Sequence, residues 1–398
     1  MITTDRISEV TGRKSYIAGL LEMACQELEL PDTQRQAAER AYNAVGNWLG
    51  DCPVLGRFQP IIFPQGSIAL GTTVRPVGRD EYDVDLVCHL TAGNDNLQQE
   101  SVKQAVGNRL ADNEVYRDML EEIKRCWRLN YAKKSKLHLD ITPAVNNSKC
   151  LNGGLCVTDS QAGKWCPSNP KGYVDWFDGK SRQQPKFPRA LLESREILAK
   201  QANVHPFPDQ VPLKGLLRRC VQLLKRHRSI LFQKNPEKAP ISVILTTLAA
   251  KSFEAAALSG TTYETEFDLL LSVIEQMPSF IERRWNGVEQ EWWIPNETTL
   301  GENFAEKWNR DAELTDAFGR WHQTALSDFK GLAATLDQTN TYSVLEKFAG
   351  SRATTAVRNR VTSNVDQMRV NDLLRTGTAG VLTTGAGIAV PRNTFYGK

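Results

Sequence analysis

The chain has 398 residues, 41% hydrophobic and 24% charged, ordinary usage for a globular protein with length enough for two packed lobes. With 49 basic against 46 acidic residues the net charge is only +3, which does not suggest a large, sequence-independent grip on polynucleotide backbone and leaves local sites to carry any such chemistry. Thr3, Asp5, Arg6, Glu9 and Arg13 interrupt what a secretory segment would need as an apolar run, and no stretch nears the roughly 18 apolar residues of a membrane span, so a cytoplasmic protein is expected.

In chain order, Asp32 to Leu49 is predicted helical, with Asp32 as N-cap and Ala37, Ala41, Val45 and Leu49 recurring four apart. Ile61, Ile62 and Phe63 then lead into Pro64, Gln65, Gly66 and Ser67, a loop, and Tyr82 to Leu90 alternates as a strand does. Residues 98–125 have a helical pattern. Lys136 to Val145 alternates again, with Leu137, Leu139 and Ile141 on one face and His138, Asp140 and Thr142 on the other. Residues 146–188 are rich in Asn, Gly, Ser, Pro and Lys, which predicts a long irregular segment held down by Trp165, Tyr173, Trp176 and Phe177. Beyond Pro212 helices are predicted over 213–230, 240–256, 265–276, about 304–335 and 342–360. The division expected is 1–205, 206–362 as a helical lobe, and 363–398 as a flexible tail low in helix propensity. The eight cysteines lack the density and spacing of a disulfide scaffold and read as reduced thiols. Cys150, Cys156 and Cys166 with His138 match no common zinc spacing, and scattered loop thiols are expected there.

The informative constellation is Gly66-Ser67, then Asp83-Val84-Asp85, then Asp140 on a separate strand. On a strand, residues i and i+2 share a side, so Asp83 and Asp85 present two carboxylates together while Val84 and Leu86 face the core. Like charges so close call for a cation. Mg²⁺ prefers carboxylate oxygens and keeps positions open for phosphate, so a third carboxylate, Asp140, would complete a two-metal site, with Mn²⁺ as the other fitting ion. Glycine at 66 lets backbone approach a triphosphate, with Gln65 and the Ser67 hydroxyl beside it. On the predicted helix 213–228, Lys214, Arg218 and Lys225 fall on one face beside an apolar stripe, a cationic row suited to a triphosphate.

The runs FPQGSIALGTTVRP, DEYDVDLVCHL, KLHLDITPAV, LLRRCVQLLKRHR and APISVILTTLAA, spread over about residues 30–260, resemble the bacterial cyclic-oligonucleotide synthases related to cyclic GMP-AMP synthase, the cGAS/DncV-like nucleotidyltransferases. The resemblance implies an α+β fold: a polymerase-β-like nucleotidyltransferase core with a mixed sheet, braced by a long N-terminal helix, and a C-terminal helical lobe closing the nucleotide cleft. It implies Asp83, Asp85 and Asp140 as metal ligands and catalytic residues, Gly66 and Ser67 as the phosphate turn, Lys225 as the triphosphate lysine and Ser242 as its neighbouring donor. The expected reaction joins NTPs, ATP and GTP foremost, into a cyclic di- or trinucleotide second messenger of anti-phage defence, with pyrophosphate leaving. The vertebrate member's zinc-binding His/Cys insertion has no counterpart in residues 195–213, so no DNA activator is expected. The end VPRNTFYGK resembles a tail on which an E1/E2-like ubiquitin-transfer protein acts, with Gly397 as conjugation site, although Lys398 follows it. A linear oligonucleotide or RNA-tailing enzyme with the same three carboxylates, and a non-catalytic nucleotide-binding scaffold, are the alternatives.

Overall fold

The computed structural model describes residues 4–78, 82–131, 137–150, 153–189, 215–335 and 337–371, and the pairs 375–376, 382–383 and 388–389. A mixed sheet dominates the first half. Its strands are β1 (Pro60–Pro64), β2 (Tyr82–Asn94), β3 (Leu120–Glu122), β4 (Trp127–Asn130), β5 (Leu137–Asn146), β6 (Leu155–Val157) and β7 (Cys166–Ser168). The order is β1-β2-β5-β4-β3, with β6 pairing the end of β5 and β7 pairing β6. Among the described strands of this sheet only the central β2–β5 pair is parallel, with Asp85 in register with Asp140. Alternation decides the two faces: Tyr82, Val84, Leu86, Leu137, Leu139 and Ile141 are buried under α2 (Asp32–Gly50) and the helix Gln99–Ala111. Asp83, Asp85 and Asp140 therefore share the opposite face.

A second core is built from helices. Leu217, Val221 and Leu224 of the helix Leu216–Leu231 pack with Ile244, Leu245 and Leu248 of the helix Ser242–Leu258, and with the helices Glu266–Gln276, Ala312–Ala334 and Gln338–Ala349. The long N-terminal helix α1 (Thr4–Leu28) buries Ile17, Leu20, Ala24 and Leu28 in this same core. Arg219 fastens it further, reaching Glu22 at 2.7 Å and Glu29 at 2.6 Å. Packing thus groups α1 with the helical lobe, although its sequence position lies within 1–205.

Several expected elements differ. Asp32 is the first helical residue and Pro31 precedes it as N-cap, so no side chain caps α2. The helix expected over 98–125 ends at Ala111: Asn113 accepts from the amides of Val115 and Tyr116 to start a separate turn, and Leu120–Glu122 pairs with β4. Within 146–188, expected to be irregular, lie β6, β7 and the helix Pro170–Ser181. Asn169 caps that helix through the Gly172 amide, Pro170 opens it, and Phe177 is buried in the helical core. Gly350, at φ +85°, divides the segment 342–360 between two helices, and the second, Ser351–Val370, runs past the boundary expected at 362. Residue pairs 375–376, 382–383 and 388–389, within the segment 363–398 expected as a flexible tail, form short antiparallel pairings, where β-branched residues favour extension. The hairpin of β8 (Glu282–Trp285) and β9 (Gln290–Trp293) has no counterpart among the expected elements. The boundary at 205/206 and Gly397 lie outside the described residues. Among the described residues no helix is long and apolar enough to cross a membrane.

Candidate active site

Between the sheet and the helical core lies a cavity of about 560 Å³, within the usual size of small-molecule sites. Asp83 and Asp85 of β2, Gln65, Gly66 and Ser67 line one side, and Lys225, Arg228 and Ser242 the other. β1 delivers the chain to a single helical turn, Gly66–Ala69, whose entry is pinned twice. The Gln65 amide donates to the Asp85 carbonyl at 2.8 Å, and its side-chain amide reaches Thr142 Oγ1 at 3.3 Å. Gly66 has φ +63°, and a Cβ added there would lie 2.5 Å from Asp85 Oδ2. Glycine is required on both counts: left-handed backbone and direct contact with a carboxylate.

The three carboxylates differ in setting. Asp83 is half exposed. Burial, then the charges of Asp140 and Asp83, push the Asp85 carboxyl up to about 7, opposed by Arg128 and Lys225. Asp140, in register with Asp85, is 9% exposed and does not line the cavity. Arg128, its register partner on β4, holds it with two hydrogen bonds, Nε to Oδ1 and Nη2 to Oδ2, both 2.7 Å. The same Nη2 lies 3.4 Å from Asp83 Oδ1. Among the described residues no three His, Cys, Asp or Glu side chains are gathered so as to ligate one ion, and all eight cysteines are free. The donor set nonetheless fits a hard dication: carboxylate oxygens only, negative charge in excess, and a raised Asp85 whose charged form lacks a full counterion. A guanidinium compensates part of that charge and covers the third carboxylate.

The helix Leu216–Leu231 closes the opposite wall by gripping the segment after the Gly66–Ala69 turn. Arg218 Nε donates to the Leu70 carbonyl at 3.0 Å, Gln222 to Thr73 at 3.0 Å, and Lys225 Nζ to Thr72 at 3.0 Å. These positions, four and seven apart, form one stripe on the helix. The expected cationic row is thus divided: Arg218 also pairs with Asp178 at 2.6 Å and is absent from the cavity lining, Lys225 lines the cavity, and Lys214 lies outside the described residues. Burial and the neighbouring Arg228 pull Lys225 down to about 8, with Asp85 acting against them. Ser242 opens the next helix and accepts from Arg228 Nη2 at 3.0 Å. Arg128, Arg228 and a further cavity wall of Asn169, Tyr173, Asn296, Glu302 and Phe304 were not expected from sequence. The one available signal was local: Arg228 stands three residues after Lys225 on the same helical face.

Residues 18–181 match the Second Messenger Oligonucleotide or Dinucleotide Synthetase domain. Along 96% of this chain and 98% of the relative, the sequence is 30% identical to the c-di-GMP synthase of Roseivirga ehrenbergii. The chain belongs to this family of CD-NTase cyclic-oligonucleotide synthases. It is a nucleotidyltransferase. The cyclic dinucleotide synthase CdnG of Bradyrhizobium diazoefficiens is 29% identical over 243 residues, 58% of this chain and 56% of that one. The structure of that CD-NTase in complex with GTP superposes with a TM-score of 0.63 at 20% identity, covering 86% of this chain and 98% of that chain, a likeness of fold. The polymerase-β-like architecture, with a mixed sheet and a helical C-terminal half, is the one expected from sequence.

Proposed function

We propose that this synthase joins two NTPs, GTP foremost, into a cyclic dinucleotide, using divalent metal held by Asp83 and Asp85 with Asp140 as third carboxylate, in bacterial anti-phage signalling. The observation that carries the reading is the single cavity in which the Asp83/Asp85 face, the Gly66-Ser67 turn, Lys225 and Ser242 meet. The c-di-GMP synthase relative and the GTP complex of CdnG support guanosine triphosphate as substrate. Mg²⁺ or Mn²⁺, when bound, supplies charge neutralisation at the triphosphate and acidifies the attacking hydroxyl.

This chain's own residues orient the reactants. Ser67 and the amides of its turn face the phosphates. Lys225 and Arg228 offset their charge from the opposite wall, and Lys225, tied to Thr72, fixes the spacing between the two walls. A ribose hydroxyl of one nucleotide attacks the α-phosphorus of the other as its proton passes to solvent, the P–O bond to pyrophosphate breaks, and a second such transfer, releasing the second proton and pyrophosphate, closes the ring. Arg128 must release Asp140 for three carboxylates to serve together. Gly397 as a conjugation acceptor for an E1/E2-like protein is a separate element of the proposal, tested by mass measurement of the C-terminal peptide. Incubating the protein with labelled ATP, GTP, CTP and UTP and Mg²⁺ or Mn²⁺ tests the reaction. A phosphatase-resistant product that phosphodiesterase cleaves is expected; phosphatase-sensitive linear products would place the chain among tailing enzymes instead.

A further inference from the structure

The cavity wall away from the carboxylates contains a feature the reaction has not used. Residues 296–302 fold back on themselves. The Asn296 amide donates to the Glu302 carbonyl at 3.1 Å, and Asn296 Nδ2 donates to Glu302 Oε2 at 2.7 Å and to Thr299 Oγ1 at 3.1 Å. Asn296 Oδ1 accepts from the Thr298 amide and hydroxyl at 3.0 and 2.8 Å. Two donations and two acceptances exhaust this 8%-exposed carboxamide, so Asn296 is a pin and has nothing left for a ligand. The turn is anchored in turn to the neighbouring helix, since Asn169 Nδ2 donates to the Thr298 carbonyl at 3.1 Å.

Glu302 differs from its pin. It lines the cavity; burial raises its carboxyl, the hydrogen bonds it accepts from Asn296 and Thr299 and the charge of Arg125 act against that, and a carboxylate offers about four lone-pair sites. Acceptor capacity remains on a side chain whose position is fixed. Beside it in the same wall stand Tyr173 and Phe304, their ring centroids 6.0 Å apart and edge to face, an apolar surface against which a planar ring can lie. We propose that Glu302 reads guanine, accepting from its N1–H and exocyclic N2–H, an inference that rests on the nucleotide reading of this cavity. Among the four bases guanine alone presents two adjacent donors on its pairing edge. Adenine sets an acceptor, N1, beside its amino group, as cytosine does with N3, and uracil flanks one donor with two acceptors. A fixed carboxylate pairs with two donors and repels a facing lone pair, so the discrimination comes from mispairing as much as from attraction.

Calorimetric binding of the α,β-methylene analogues of GTP, ITP and ATP to the full chain with Mg²⁺ tests this without turnover. ITP keeps the N1 donor and lacks the N2 amino group. Wild type is expected to prefer the guanine analogue over both others by at least about tenfold, and Glu302→Gln to bring the three within about threefold of one another. Thr299→Val, which loosens the turn but leaves the carboxylate, is expected to keep the preference. A merely structural Glu302 would weaken all three analogues equally in both variants and leave the ratio untouched, which would overturn the proposal. Guanine preference unchanged in Glu302→Gln sinks this inference alone; failure of every analogue to bind wild type sinks the nucleotide reading with it.

Discussion

Replacing Gly66 by alanine separates two costs that the fold combines at one residue. The left-handed conformation alone, φ +63°, costs a residue with a Cβ about 1–2 kcal/mol. The added carbon would also lie 2.5 Å from Asp85 Oδ2 and 3.3 Å from its Cγ, where ordinary contact begins at 3.4 Å. Something must give by about 1 Å, and the neighbour is a carboxylate proposed to hold metal, where a misplacement of that size costs about 10²-fold in rate. Gly163 provides the matched control: its φ is +62°, and a Cβ there meets nothing within 4 Å. Both variants should lose stability by the backbone term, measured by thermal unfolding, while only Gly66→Ala should lose about 10²-fold in pyrophosphate release. Equal melting points with wild-type turnover in Gly66→Ala would refute the close-contact reasoning.

With the Asp85 carboxyl at about 7 against an ordinary 3.8, the metal-free folded protein binds that proton more tightly than the unfolded chain, so stability falls as pH rises from about 4 through about 7. Asp85→Asn should therefore melt higher than wild type at pH 8 and show no gain at pH 4, while Mg²⁺ raises the melting point of wild type only; a variant melting lower at pH 8 counts against this. Lys225, pulled down to about 8 from 10.5, destabilises the fold below pH 8, and the penalty fades as pH climbs toward 10.5. Lys225→Met should melt higher at pH 7 yet bind triphosphate about tenfold or more weakly, as titration calorimetry would record. Arg128→Gln uncovers Asp140: without metal the fold should lose about 2 kcal/mol, below the fully buried range because the guanidinium is 27% exposed, and Mn²⁺ should bind more tightly by calorimetry. Unchanged Mn²⁺ affinity would show that Arg128 does not compete for the carboxylate.

Strand alternation is a local property, and so the two-residue period alone placed Asp83 with Asp85, and Asp140 on the polar face of its own strand. The helices after residue 215 were legible for the same reason, since apolar residues three and four apart need no partner to be recognised. Errors arose where local signals compete. A helical pattern through 98–125 hid the restart at Asn113, and a polar composition over 146–188 hid the Asn169-Pro170 start of a helix whose Phe177 is bound by the distant core. What faces what was beyond reach. The Arg128 clamp from a four-residue strand and the diversion of Arg218 to Asp178 each depend on partners distant in sequence, whereas the meeting of Asp140 with Asp83 and Asp85 was expected. The wall of Tyr173, Asn296, Glu302 and Phe304 is assembled from two segments more than a hundred residues apart. Spacing along a chain fixes which side of an element a residue occupies, because backbone geometry repeats; which charge stands across from it is decided only when separate elements pack together.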